Sequence, residues 1–310
     1  MSTISEYPAI KRFPKIDKKI AAGFVLLAGC FAVLYHHVIA KLVYDWYIDE
    51  NYSHGFLIVP IALFFVWERR GRLKEAPRKA SSWGLAIVLG STAVLLAGTL
   101  GSELFLTRIS MLGTIAGVML YLYGWNHLRI LLAPIAFLLL MIPIPAIIFN
   151  QIAFPLQLLA SRFGEIALTA FQIPVLREGN LIHLANTSLE VAEACSGIRS
   201  LISLLTLGIV YGYFTDSRIW VRIVLAVGTI PIAIAANGFR VAGTGIAAHF
   251  YGPEASQGFF HAFSGWVIFV AAFIMMFILY RIIVWFSPNL HQTGLKKRSQ
   301  DSKLEHDQVV

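Results

Sequence analysis

Charge is what this chain lacks most. Only 14% of its 310 residues are Asp, Glu, Lys or Arg, against about 25% in an ordinary soluble domain. A shortage that severe excludes a solvated surface over most of the chain. Cysteine is scarce too, with Cys30 and Cys195 alone, which excludes a disulfide scaffold. Neither cysteine has a CxxC partner or a nearby His pair, so no zinc site is expected, and nothing in the sequence asks for a cofactor. Basic faces carrying aromatic or polar base readers are also missing. The net charge of +8 therefore gives no reason to expect a nucleic-acid partner.

What the chain does have is apolar length: 57% of it is hydrophobic, in long runs between Ala21 and Phe286. Backbone amides in a bilayer core must be satisfied inside their own element. Runs of about 20 apolar residues therefore read as transmembrane helices in contact with lipid. The spans expected are Ala21–Ala40, Phe56–Trp67 (starting back near Ser53), Trp83–Leu100, Leu104–Tyr123, Leu128–Phe149, Ser196–Phe214, Ile223–Gly243 and Phe260–Phe286. That makes an all-α polytopic bundle of about eight helices, flanked by a basic N-terminus (1–20) and a polar tail (287–310) expected to be disordered. Gln151 to Ile173 is apolar but broken by Gln157, Arg162, Glu165 and Gln172, as suits a helix lying in the interface or packed in the bundle. From Val175 to Leu184 the pattern changes to strand, Glu-Gly-Asn turn and strand, with a second turn at Asn186-Thr187-Ser188 leading into Leu189–Ala192.

The basic residues fix a topology. With the N-terminus inside, eight crossings place the clusters at Glu68–Lys79, His127–Arg129, Arg218/Arg222 and Lys296-Lys297-Arg298 all inside, as the positive-inside rule requires. A ninth crossing by Gln151–Ile173 moves the last two outside. Eight is therefore preferred, with both termini cytoplasmic and the small hairpin extracytoplasmic. Cys195, Arg240 and His261, remote in sequence, then fall near the outer ends of their helices.

Each of the three has a chemical and a plain structural reading. Cys195 sits where a loop becomes a helix, in Glu193-Ala194-Cys195-Ser196-Gly197-Ile198-Arg199. The helix dipole and Arg199, at i+4, would both favour a thiolate; a small buried cysteine packing like alanine is the alternative. Arg240 shares a face with Asn237 in an otherwise apolar span. An intramembrane arginine marks a site or a structural pair, here with Glu193 or Glu190. His261 opens the last span and titrates near neutrality, or is an interfacial histidine among aromatics; His249 is its rival. Cys with His forms a nucleophile–base pair, and Arg can hold a developing oxyanion.

The residues as a set resemble the exosortases, membrane-embedded bacterial cousins of the archaeosortases. The resemblance is carried by Arg177-Glu178-Gly179-Asn180, by Leu189 to Leu201 with its Cys-Ser-Gly-Ile-Arg core, by Asn237-Gly238-Phe239-Arg240-Val241, by His261 followed by Gly265, and by the early Tyr52-Ser53-His54-Gly55-Phe56-Leu57. It implies a thiol protease or transpeptidase of the cytoplasmic (inner) membrane. Such an enzyme cleaves C-terminal PEP-CTERM-like sorting signals of exported proteins, each a short motif, a hydrophobic span and a basic tail, and passes the acyl group to a surface acceptor. Cys195 would be nucleophile, Arg240 oxyanion stabiliser and His261 acid/base. Glu193, Arg199, Asn237, Arg177 and His54 would bind substrate or support the site. The competing class is a transporter or flippase using Arg240, Glu193 and His261 in a polar cavity.

Overall fold

The computed structural model describes residues 18–185, 187–191, 197–252 and 258–287. Ten α-helices carry most of it: α1 (Lys18–Ile48), α2 (Gly55–Glu68), α3 (Arg70–Glu75), α4 (Trp83–Leu100), α5 (Leu104–Tyr123), α6 (Trp125–Phe137), α7 (Ala146–Ala170), α8 (Ile198–Thr215), α9 (Ile219–Tyr251) and α10 (Gly258–Phe286). Between α7 and α8 lie β1 (Val175–Glu178), β2 (Leu181–Leu184) and β3 (Ser188–Glu190), an antiparallel meander in the order β1-β2-β3. Among the described residues, six helices are long and apolar enough to cross a membrane, namely α1, α4, α5, α8, α9 and α10.

The expected spans need adjustment at their ends and at one break. Helix α1 does not stop near Ala40 but runs to Ile48. Asp45 can stay in it because Lys41 pairs with its carboxylate at 2.8 Å and Arg108 of α5 pairs with it too. The fifth run is not one helix. It breaks after a 3-10 turn at Leu138–Met141, and the chain restarts as α7, bent 76° from the segment before. Pro143 and Pro145 supply the reason. Each removes an amide donor, and each biases the residue before it away from helix. Phe149 and Gln151 thus belong to one helix, which continues through the expected Gln151–Ile173 segment as far as Ala170. The spans number seven if the bent pair is one of them. Eight is reached only if the 14-residue α2, about 21 Å long, also crosses.

Close helix approach is built on small residues. A Cβ on Gly84 of α4 would lie 2.2 Å from the Tyr121 backbone nitrogen of α5. Helix α5 starts on Glu103, whose side chain accepts from the Phe105 amide at 3.1 Å. Helix α9 has 33 residues and extends about 50 Å, well beyond a hydrocarbon core of about 30 Å. Its C-terminal part packs on α7 and the sheet. Ile182, Val191, Leu168 and Val241 share one buried apolar cluster, and the strands alternate to reach it, with Ile182 and Leu184 buried on β2.

Candidate active site

The start of α8 is set by backbone conformation. Gly197 has φ +80°, the left-handed region that glycine enters without a Cβ clash, and helix begins only at Ile198. Gly197 also packs directly on α9: a Cβ there would be 2.9 Å from Cβ and Cγ of Asn237. Asn237 is buried. Arg240, less than one turn further along α9, is half-buried. Its guanidinium lies over Gly265 of α10, where an added Cβ would be 3.3 Å from Nη2. His261 is one turn before Gly265, in the first turn of α10, and its side chain lies outside the described ones. Cys195 and Glu193 also lie outside the described residues. The helix carrying Asn237 and Arg240 thus meets the start of α8 on one side and the first turns of α10 on another. His249 is nine residues beyond Arg240 in the last turn of α9, about 13 Å along the axis.

The supporting residues divide. Arg199 is the second residue of α8, which begins at Ile198 after Gly197, while Cys195 lies outside the described residues. Its guanidinium turns to the α1–α2 connection: it pairs with the carboxylate of Glu50, and Nε donates to Asn51 Oδ1 at 3.2 Å. His54, just before α2, bonds through Nε2 to the Leu140 carbonyl at 3.1 Å. Burial pushes its imidazole below the ordinary value, against the smaller opposing effect of its backbone hydrogen bonds. Trp46 Nε1 donates to the Met141 carbonyl at 2.8 Å, and the Ile144 amide donates to Tyr52 Oη at 3.2 Å. These three side chains satisfy backbone groups that the α6–α7 break leaves outside any ladder. Arg177 is held elsewhere, at the junction of α7 and the sheet. Its Nε donates to Glu165 at 2.8 Å and its Nη1 to the Gly179 carbonyl at 2.9 Å.

Arg108 was overlooked among the spans. It is 2% exposed, more deeply buried than Arg240, and its charge is met by Asp45. The signal was present: an arginine inside the Leu104–Tyr123 run, and an aspartate four residues after Lys41. Among the described residues no group of three His, Cys, Asp or Glu side chains could hold a metal ion.

The family model of the transmembrane exosortases matches residues 46–278, from the end of α1 to within α10. No curated protein and no solved structure matches the chain. The chain belongs to the transmembrane exosortase family.

Proposed function

From membership of that family, we propose that the chain is a cysteine protease/transpeptidase working at the outer surface of the bacterial inner membrane. It cleaves the C-terminal sorting signal of exported proteins, with Cys195 as nucleophile, His261 as acid/base and Arg240 as oxyanion stabiliser. The observation that carries this reading is the double contact of α9, whose Asn237 packs on Gly197 and whose Arg240 lies over Gly265. Gly197 is two residues from Cys195, a reach of at most about 7 Å. Gly265 is one helical turn from His261.

The chemistry follows from the residue types. His261 takes the thiol proton and the Cys195 sulfur adds to the scissile carbonyl carbon. The carbonyl electron pair moves onto oxygen, where the guanidinium of Arg240 balances the charge. Collapse breaks the C–N bond, and the imidazolium returns its proton to the leaving amine. The acyl thioester is then released to a surface acceptor or to water, restoring the thiol. A sorting signal with a hydrophobic span is itself a membrane helix, so its motif meets the enzyme at the bilayer surface. Both termini of the enzyme are cytoplasmic in this arrangement, by the positive-inside distribution of its basic clusters.

The test is Cys195→Ala. It should accumulate in the membrane at the normal level yet leave a co-expressed sorting-signal reporter uncut. Full processing by that variant would overturn the cysteine mechanism and favour the transporter reading.

A further inference from the structure

Strand β3 ends five residues before Cys195, and its outer side is an edge. Thr187 accepts from the Leu184 amide at 2.7 Å and Val191 donates to the Asn180 carbonyl at 2.9 Å. Ile182 pairs with Leu189 between them. In an antiparallel ladder, hydrogen-bonded and non-bonded pairs alternate. Thr187, Leu189 and Val191 therefore turn their backbone groups toward β2. Ser188 and Glu190 turn their N–H and C=O the other way, two residues or about 7 Å apart. Among the described residues no hydrogen bond reaches these four groups. Both side chains are exposed, while Leu189 between them is half-buried.

The edge is also placed. Val191, immediately after β3, is buried in the same cluster as Val241 and Ile182. Val241 follows Arg240 directly, so the end of β3 is anchored at the α9 turn bearing the arginine. A peptide whose carbonyl is to be attacked cannot be helical there, because helical carbonyls are engaged by the amide four residues on. An extended segment needs partners for its own amides, most of all at a membrane surface. Edge strands supply them by strand addition.

We propose that the substrate segment around the scissile bond binds as a fourth strand on the outer edge of β3, held by the backbone N–H and C=O of Ser188 and Glu190. This rests on the protease reading above for the identity of the occupant. Main-chain pairing holds the segment whatever its side chains, and alternate substrate side chains face the sheet's exposed side.

Two measurements test it in the full-length protein in membranes. The first uses Glu190→Cys with Cys195→Ala and Cys30→Ser, and a co-expressed reporter ending in motif, hydrophobic span and basic tail. A single cysteine is stepped through six reporter positions preceding the cleavage site, followed by mild oxidation. Strand addition gives disulfides at alternate positions; equal yield at all positions, or none, overturns the proposal. The second compares kinetics. Glu190→Pro removes one outward N–H and should raise KM about tenfold with kcat little changed. Wild-type kinetics for both Ser188→Pro and Glu190→Pro overturn the edge. Alternate cross-linking together with normal cleavage by Cys195→Ala would keep the strand site and overturn the cysteine chemistry instead.

Discussion

Arg240 and Arg199 look alike in sequence, two arginines near helix ends, but the fold uses them differently. Arg240 lies across α10 at Gly265, where a planar guanidinium fits and a bulkier helix surface would not. Arg240→Lys should keep the charge but lose the fork geometry, lowering kcat about 10²- to 10³-fold, as removal of an oxyanion donor does. Cleavage kinetics at saturating reporter check this. Arg199 is committed to Glu50 and Asn51, so it fastens α8 to the α1–α2 connection. Glu50 is well exposed, and exposed pairs contribute only about 0.2–1 kcal/mol. Arg199→Glu should therefore slow cleavage only a few-fold, and pairing it with Glu50→Arg should restore it. A thiolate counter-ion would not tolerate that swap. Retained or deepened loss in the double variant would return Arg199 to the chemistry.

His54 gives a pH dependence with a definite sign. Its folded pKa lies below the ordinary value of about 6.5 because burial disfavours the imidazolium. The neutral ring therefore stabilises the fold fully above about pH 6.5, and that contribution is lost as pH falls through the lower folded pKa. Thermal midpoints in detergent should drop between pH 7 and 5 for the wild type, and by less for His54→Gln. Parallel curves for the two proteins would show that the ring is not the titrating group. At this scale the sequence exposed the polar residues inside apolar runs, but not their partners. Nothing at Glu50 or Asn51 announces Arg199 nearly 150 residues away, since long-range pairing depends on how the helices pack.

Local chemistry made some elements legible and hid others. The meander was readable because period-two alternation and Glu-Gly-Asn are local signals. The start of α8 was placed two residues early, because the left-handed φ of Gly197 is set by its close seat on Asn237. The α6–α7 break was read as one span containing three prolines. Pro134 is accommodated within α6, whereas Pro143 and Pro145 end the helix, and Trp46, Tyr52 and His54 satisfy backbone groups exposed at the break. Tyr52→Phe should then leave the Ile144 amide without its acceptor and cost about 1–3 kcal/mol, read as a lowered midpoint of thermal unfolding in detergent. An unchanged midpoint would mean that another acceptor takes over.

For the whole molecule, the fold class followed from the shortage of charge together with apolar runs of helix-spanning length. The helix count did not follow, since a short helix and a bent pair are ambiguous by length. Two lengths nonetheless agree. From Ile219 to Arg240 is 22 residues along α9, about 33 Å. From Gly265 to the end of α10 is 22 residues, about 33 Å. Both match a hydrocarbon core of about 30 Å, so Arg240 stands one bilayer thickness above the opposite end of the bundle, on two rigid shafts that continue past it. An enzyme built this way is a depth gauge. Under the proposed mechanism it would cut at a fixed height and leave the substrate's own span to bring the bond there. Adding four leucines, about 6 Å of helix, to a reporter's span should lift its motif past the cutter and slow cleavage, while the same insertion in the basic tail should change little.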